Sequence, residues 1–78
     1  MSELPAVTGK EAIAAFSKVG FFVERISKSS HHILKKDGHR FLLSVPVHGK
    51  KILKRGTLRG LIKASGISVE RFVELLDD

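Results

Sequence analysis

The chain has 78 residues, of which 42% are hydrophobic, with no cysteine and a formal net charge of +6. A chain of this length forms one domain with a modest core, and the lack of cysteine excludes disulfides and thiolate metal sites. No apolar run is long enough to span a membrane, and no signal-peptide pattern opens the chain, so we expect a cytoplasmic protein. We expect a single domain over residues 1–78, with residues 1–7 as a flexible N-terminal segment.

The positive charge is concentrated in the middle of the chain. Between Arg25 and Lys63 there are eleven lysines and arginines against one acid, Asp37. The two ends together carry three cations and seven anions. An ordinary solvated surface would intersperse both signs, so this distribution indicates a polyanionic partner, either a nucleic acid or an acidic protein.

The first half of the chain predicts a helix and three strands. Thr8 and Glu11 have the spacing of a capping box, and Gly20 is a stop signal, which together predict a helix over about residues 9–19. Aromatic and β-branched residues predict strands over 21–26, 31–36 and 39–45. A polar turn covers 27–30, and Asp37-Gly38 predicts a two-residue hairpin loop.

The second half predicts two helices after a basic loop. Pro46 ends the third strand, residues 47–56 form the loop, and Thr57 is the predicted N-cap of a helix that ends at Gly66. Ser68 caps a final short helix. This order predicts an α+β fold, with a three-stranded antiparallel sheet and the helices packed on one face. The predicted core includes Phe16, Phe22, Phe41 and Phe72, with Phe21 exposed.

The hairpin distinguishes two adjacent histidines. A loop at Asp37-Gly38 would pair His31 with Ser44 and would place His32 on the apolar face of the sheet. We therefore expect His32 to be half-buried and bonded to a backbone carbonyl. His31 would lie on the open face among cations, where an imidazole that titrates near neutrality can transfer protons.

The open face and the basic loop supply the predicted phosphate contacts. These are Arg25, Lys28, Ser30, Lys35, Arg40, Lys50, Lys51, Lys54, Arg55, Thr57 and Arg59. A metal site is the competing use for the histidines, but His31 and His32 diverge and Asp37 is committed to a turn. We therefore predict no metal site and no cofactor.

A set of short motifs covers about residues 10 to 72. They are Gly20-Phe21, Arg25, Ser30-His31, Asp37-Gly38, Val45-Pro46-Val47-His48, Gly56-Thr57-Leu58-Arg59 and Ser65-Gly66-Ile67-Ser68. Together they resemble the HicA toxins, also called YcfA-like proteins, of bacterial toxin–antitoxin systems. The chain departs from that family at Ser29, where glycine is usual and would suit a positive φ.

The resemblance implies a fold like that of a double-stranded-RNA-binding domain. It also implies an endoribonuclease that cleaves mRNA, uses His31 as its catalytic residue and is neutralised by a HicB-like antitoxin. Because we predict no metal site, we expect this cleavage to be metal-independent. We interpret His48 as a structural or phosphate-adjacent residue. Two alternatives stay open: a non-catalytic RNA-binding module that uses the same surface, and a basic face that chiefly meets an acidic protein.

Overall fold

The computed structural model describes residues 3–77, which form three helices and one sheet of three antiparallel strands in the order β1-β2-β3. The elements are α1 (Gly9–Ser17), β1 (Phe22–Ile26), β2 (His31–Lys35), β3 (Leu43–Pro46), α2 (Arg55–Ser65) and α3 (Val69–Leu76). The predicted α+β fold and its element order are confirmed. No helix within residues 3–77 is long and apolar enough to cross a membrane.

The two ends of α1 have the predicted capping signals. The Thr8 N–H donates to the Glu11 carboxylate at 2.8 Å, and the Glu11 N–H donates to the Thr8 hydroxyl at 3.2 Å, which completes the capping box. After the helix, the Gly20 N–H donates to the Ser17 carbonyl and the Phe21 N–H donates to the Phe16 carbonyl, with Gly20 at a φ of 103°. This is a Schellman motif.

Because of the Schellman motif, the predicted burial states of the adjacent residues Phe21 and Phe22 are wrong. It turns Phe21 back onto α1, where its ring lies 6.0 Å from that of Phe16 and is 2% exposed. Phe22 is left 47% exposed on the sheet, and Phe41 is 55% exposed in the β2–β3 connection. The predicted burial of Phe22 and Phe41 and the predicted exposure of Phe21 are therefore wrong, whereas Phe16 and Phe72 are core residues as predicted.

The helices cover one face of the sheet, here called the inner face, and leave the outer face open. Leu34, Leu43 and Val45 point from the inner face into a core shared with Phe16 and Phe72. All five residues of β1 are exposed, so the core lies under β2 and β3. The outer face carries Phe22, Arg25, His31, Ile33, Lys35, Ser44 and Pro46, which follows from the strand pairing.

The β2–β3 register differs by two residues from the predicted one. His31 pairs with Pro46 and Ile33 pairs with Ser44, because residues 36–42 form a longer connection. Asp37-Gly38 does form a turn, closed by the His39 N–H and the Lys36 carbonyl at 3.0 Å. The shift is even, so the residues that do lie in β2 and β3 keep their predicted faces.

The start of α2 differs from expectation, and the N-terminal segment is described only in part. α2 begins at Arg55, with Lys54 as an N-cap that makes no side-chain capping bond, so Thr57 is a residue of the first turn and not the cap. Within the N-terminal segment expected to be flexible, residues 1 and 2 lie outside the described residues. At its other end Val7 is buried, and its carbonyl accepts a 2.8 Å hydrogen bond from the Leu53 N–H.

Candidate functional site

The turn between β1 and β2 positions the first candidate residue, His31. The Ser30 N–H donates to the Ser27 carbonyl at 3.1 Å, and the Ser27 N–H donates to the His31 carbonyl at 2.8 Å, so His31 directly follows a closed three-residue loop. The positive φ in this loop, 64°, belongs to Ser30. The glycine expected for backbone reasons at position 29 is therefore not required there, since Ser29 does not have a positive φ.

Ser29 instead contacts the imidazole. Its Oγ lies 3.0 Å from Nδ1 of His31, and 3.2 Å from the Oγ of Ser27. The Ser27 Oγ also accepts the backbone N–H of His31 at 3.2 Å. Two hydroxyls thus hold both the backbone and one ring nitrogen of His31, which leaves Nε2 as the nitrogen available for chemistry.

His48 is the neighbour of His31 on the outer face. The two ring centroids are 6.4 Å apart and the ring planes are nearly perpendicular, at 89°. The register explains the approach: Pro46 pairs with His31, and His48 follows two residues later on the same face. The Val47 N–H donates to the Ser30 carbonyl at 3.0 Å and continues the pairing up to His48. We call His31 and His48 the histidine pair.

A basic cavity of about 260 Å³ opens beside His48. Its lining consists of Pro46, His48, Lys51, Ile52, Leu53, Lys54 and Thr57. The ammonium groups of Lys51 and Lys54 and the hydroxyl of Thr57 belong to types that bind phosphate oxygens. The cavity therefore adds a cationic, partly enclosed surface to the site that carries the histidine pair.

The predicted phosphate-binding residues separate into three groups. Near the histidine pair lie Arg25, diagonal to His31 on the outer face, Lys28 and Ser30 in the preceding turn, and the cavity residues Lys51, Lys54 and Thr57. Lys50, Arg55 and Arg59 are exposed on the basic loop and α2, outside the cavity lining.

Two cations lie away from the pair. Lys35 is at the other end of β2 and is 3.6 Å from the Glu24 carboxylate. Arg40 lies in the β2–β3 connection, at that same end of the strand. The prediction had placed Arg40 on the third strand, but β3 begins only at Leu43.

His32 lies on the inner face, half-buried as expected. Its Nδ1 is buried and has no hydrogen-bond partner among the described residues, in contrast to the predicted bond to a backbone carbonyl. Ile26 of β1, with which His32 is paired, is exposed. The imidazole of His32 therefore points away from the histidine pair.

Sequence reasoning missed two contributions to this site. The sequence marks Ser29 only as a departure from glycine, and it indicates a structural or phosphate-adjacent role for His48. The alternation of side chains along a strand places positions 46 and 48 on the same face, which is the pattern that could have indicated His48. The predicted register pairs His31 with Ser44 instead of Pro46, so it does not bring His48 close to His31. Within residues 3–77, no group of three histidine, aspartate or glutamate side chains is arranged to hold a metal ion.

Comparison with known proteins identifies one family. The family model described as the HicA toxin of bacterial toxin–antitoxin systems matches residues 9–67. The matched region includes all three strands, α1, α2, the histidine pair and the basic cavity. No match to the chain was found among curated proteins.

Proposed function

Because the chain belongs to the HicA toxin family of bacterial toxin–antitoxin systems, we propose that it is a metal-independent endoribonuclease that cleaves mRNA in the cytoplasm. Toxins of this family are generally ribonucleases. The observation that carries the proposal is the held imidazole of His31, with Ser29 at Nδ1 and with Arg25 and the turn residues beside it on an open basic surface. Such a group can transfer a proton while cations bind the phosphate.

In the proposed reaction, His31 transfers a proton during attack on the phosphodiester. A ribose 2′-hydroxyl is the nucleophile present in every internal RNA linkage, and its use would exclude DNA as a substrate. Arg25, Lys28, Lys51 and Lys54 bind the phosphates on either side and stabilise the charge that develops in the transition state. The products would be a 2′,3′-cyclic phosphate and a 5′-hydroxyl.

The proposal is tested with purified protein and in growing cells. In buffer with EDTA, the wild-type protein should cleave RNA, whereas a strand with 2′-deoxyribose at the cleavage site should remain intact. His31→Ala should abolish both RNA cleavage and growth arrest, while His32→Ala serves as the matched control on the adjacent position. Salt-dependent RNA binding without cleavage would instead support the non-catalytic RNA-binding module.

Family membership also implies pairing with an antitoxin. We propose that this partner is HicB-like and covers the basic surface around His31, since an acidic protein surface would complement it. Coexpression of an antitoxin encoded next to this chain should suppress RNA cleavage. Reversal of Arg25 to Glu should weaken that complex.

A further inference from the structure

The second imidazole on the outer face, that of His48, lies next to that of His31, with the ring centroids 6.4 Å apart. We propose that His48 is the general acid of the RNA cleavage and that His31 is the general base. This inference rests on the proposed function, and it assigns a second catalytic residue to the same site. The proposal is carried by the contact between the two rings and by the hydrogen bonds that distinguish them.

The histidine pair has a separation that suits one phosphodiester. The centroids are 6.4 Å apart, and no hydrogen bond between the rings occurs within the described part of the chain. A ring nitrogen bonds an oxygen at about 2.8–3.0 Å, so a phosphate group lying against both rings can contact each of them through a different oxygen. In an in-line displacement the attacking and leaving oxygens are on opposite sides of phosphorus, and two separate proton carriers serve them.

One direction of the hydrogen bonds around His31 suits a general base. When Ser29 donates to Ser27, its own oxygen accepts the Nδ1 proton of His31, and this leaves the Nε2 lone pair free to accept a proton. The Ser27 hydroxyl oxygen has two lone pairs, so it can accept this hydrogen bond in addition to the one from the His31 backbone N–H. In this arrangement His31 can act as the base, and we assign the role of acid to His48.

The surroundings of His48 suit a proton donor. The residue is exposed, so its imidazole can regain a proton from water after each turnover. Its backbone is held in a turn in which the Lys51 N–H donates to the His48 carbonyl at 3.1 Å, with Gly49 at a φ of 58°. Lys51 and Lys54 line the adjoining cavity and would hold the phosphate, while His48 contacts the leaving oxygen.

The proposed step conserves protons and electrons. Nε2 of neutral His31 takes the 2′-hydroxyl proton as the 2′-oxygen forms its bond to phosphorus. The bond from phosphorus to the 5′-oxygen breaks, and that oxygen leaves with its electron pair and takes a proton from the imidazolium of His48. His31 ends protonated and His48 ends neutral, and exchange with solvent restores both.

A leaving-group substitution tests this role directly. Two RNA oligonucleotides of the same sequence are compared, one normal and one with a bridging sulfur in place of the 5′-oxygen at the cleavage site. A thiolate leaves without protonation, so it does not need a general acid. The proteins are wild type, His31→Ala, His48→Ala and, as a matched variant from the same cavity, Lys51→Gln.

We expect His48→Ala to cleave normal RNA at least about 100-fold more slowly than wild type, the usual range for loss of a proton-transfer group. On the sulfur substrate it should come within about tenfold of wild type. His31→Ala should remain inactive on both substrates. Lys51→Gln should slow both substrates by the same factor, because a phosphate contact does not depend on the leaving atom.

Other outcomes overturn the assignment. Wild-type rates of His48→Ala on normal RNA would exclude a catalytic role, and equal losses on both substrates would show that His48 binds phosphate or supports the site. Far-UV circular dichroism separates an equal loss on both substrates from unfolding of the variant. Failure of the wild-type protein to cleave normal RNA would refute the proposed function itself, whereas the other outcomes leave it intact.

Discussion

Ser29 Oγ lies 3.0 Å from Nδ1 of His31, in a loop where the residue with positive φ is the next one, Ser30. The side chain at position 29 thus makes a contact that glycine could not make. We propose that this contact orients the imidazole ring. Position 29 has no positive φ of its own, so serine can stand there without backbone strain at that position.

Ser29→Ala tests this positioning role. A neutral hydrogen bond contributes about 0.5–1.5 kcal/mol, so we expect kcat for RNA cleavage to fall about two- to tenfold while KM stays unchanged. Steady-state kinetics on one oligonucleotide measure both constants. Ser44→Ala removes an exposed hydroxyl from the same face and serves as the control. A rise in KM with an unchanged kcat would show that Ser29 contacts RNA instead of orienting His31.

We expect the loss of a lysine to weaken RNA binding more when that lysine lines the cavity beside His48 than when it lies far from it. Lys51 and Lys54 line the cavity beside His48, whereas Lys35 is at the far end of β2 and is 3.6 Å from Glu24. We expect Lys51→Gln and Lys54→Gln each to weaken RNA binding and to reduce the slope of log affinity against log salt by about 1. Lys35→Gln should change the slope much less.

Titration of RNA at several salt concentrations, in the His31→Ala background to prevent cleavage, gives this comparison. Equal slopes for Lys35→Gln and Lys51→Gln would mean that RNA extends along the whole of β2. In that case the binding surface would include Arg40 and the β2–β3 connection. The residues nearest the histidine pair would then contribute no more to RNA affinity than those at the far end of β2.

Much of the fold was predictable because its signals are local. The capping box of Thr8 and Glu11 and the stop at Gly20 depend on residues within one or two helical turns, and they set the ends of α1. The predicted faces of the β2 residues are correct although the predicted register is not, because the register is shifted by an even number of residues. His31 and His32 therefore lie on the faces that the sequence indicated.

The error in the β2–β3 register lies in a segment that contacts a distant residue. His39 lies outside the β2–β3 pairing, and its Nε2 is 2.7 Å from the carbonyl of Ala64, a distant partner that no local pattern reveals. The longer connection over residues 36–42 places Pro46 opposite His31 and brings His48 close to it, so the error in register also hid the approach of the two histidines. Composition alone indicates a basic surface but not which histidines share it.

His39 is therefore predicted to stabilise the fold. Besides its bond to Ala64, its ring lies 5.2 Å from the buried ring of Phe21. Loss of one hydrogen bond and one aromatic contact should lower the free energy of unfolding of His39→Ala by about 1–3 kcal/mol. Urea denaturation measures this value, and Arg40→Ala, at an exposed neighbouring position, is the control. Equal midpoints for the two variants would show that the connection does not need this anchor.

We expect replacement of glycine by alanine to have opposite effects on stability at two positions, 9 and 60. A Cβ at Gly9, the first residue of α1, would meet the Pro46 carbonyl oxygen, whereas a Cβ at Gly60, inside α2, meets no atom within 4 Å. We expect Gly9→Ala to destabilise the protein by about 1–3 kcal/mol through overpacking. Gly60→Ala should stabilise it by about 1 kcal/mol, because alanine loses less backbone entropy in a helix.

Urea denaturation of both variants, with the slope m compared to that of wild type, measures these changes. A Gly9→Ala protein as stable as wild type would mean that α1 and the end of β3 can separate without cost. Pro46 pairs with His31, so a displacement of Pro46 by the added methyl group would also move the strand that carries the site. We therefore expect Gly9→Ala to lower both the stability and the rate of RNA cleavage. Cleavage by Gly60→Ala at the wild-type rate would show that the added stability of α2 is independent of the histidine pair.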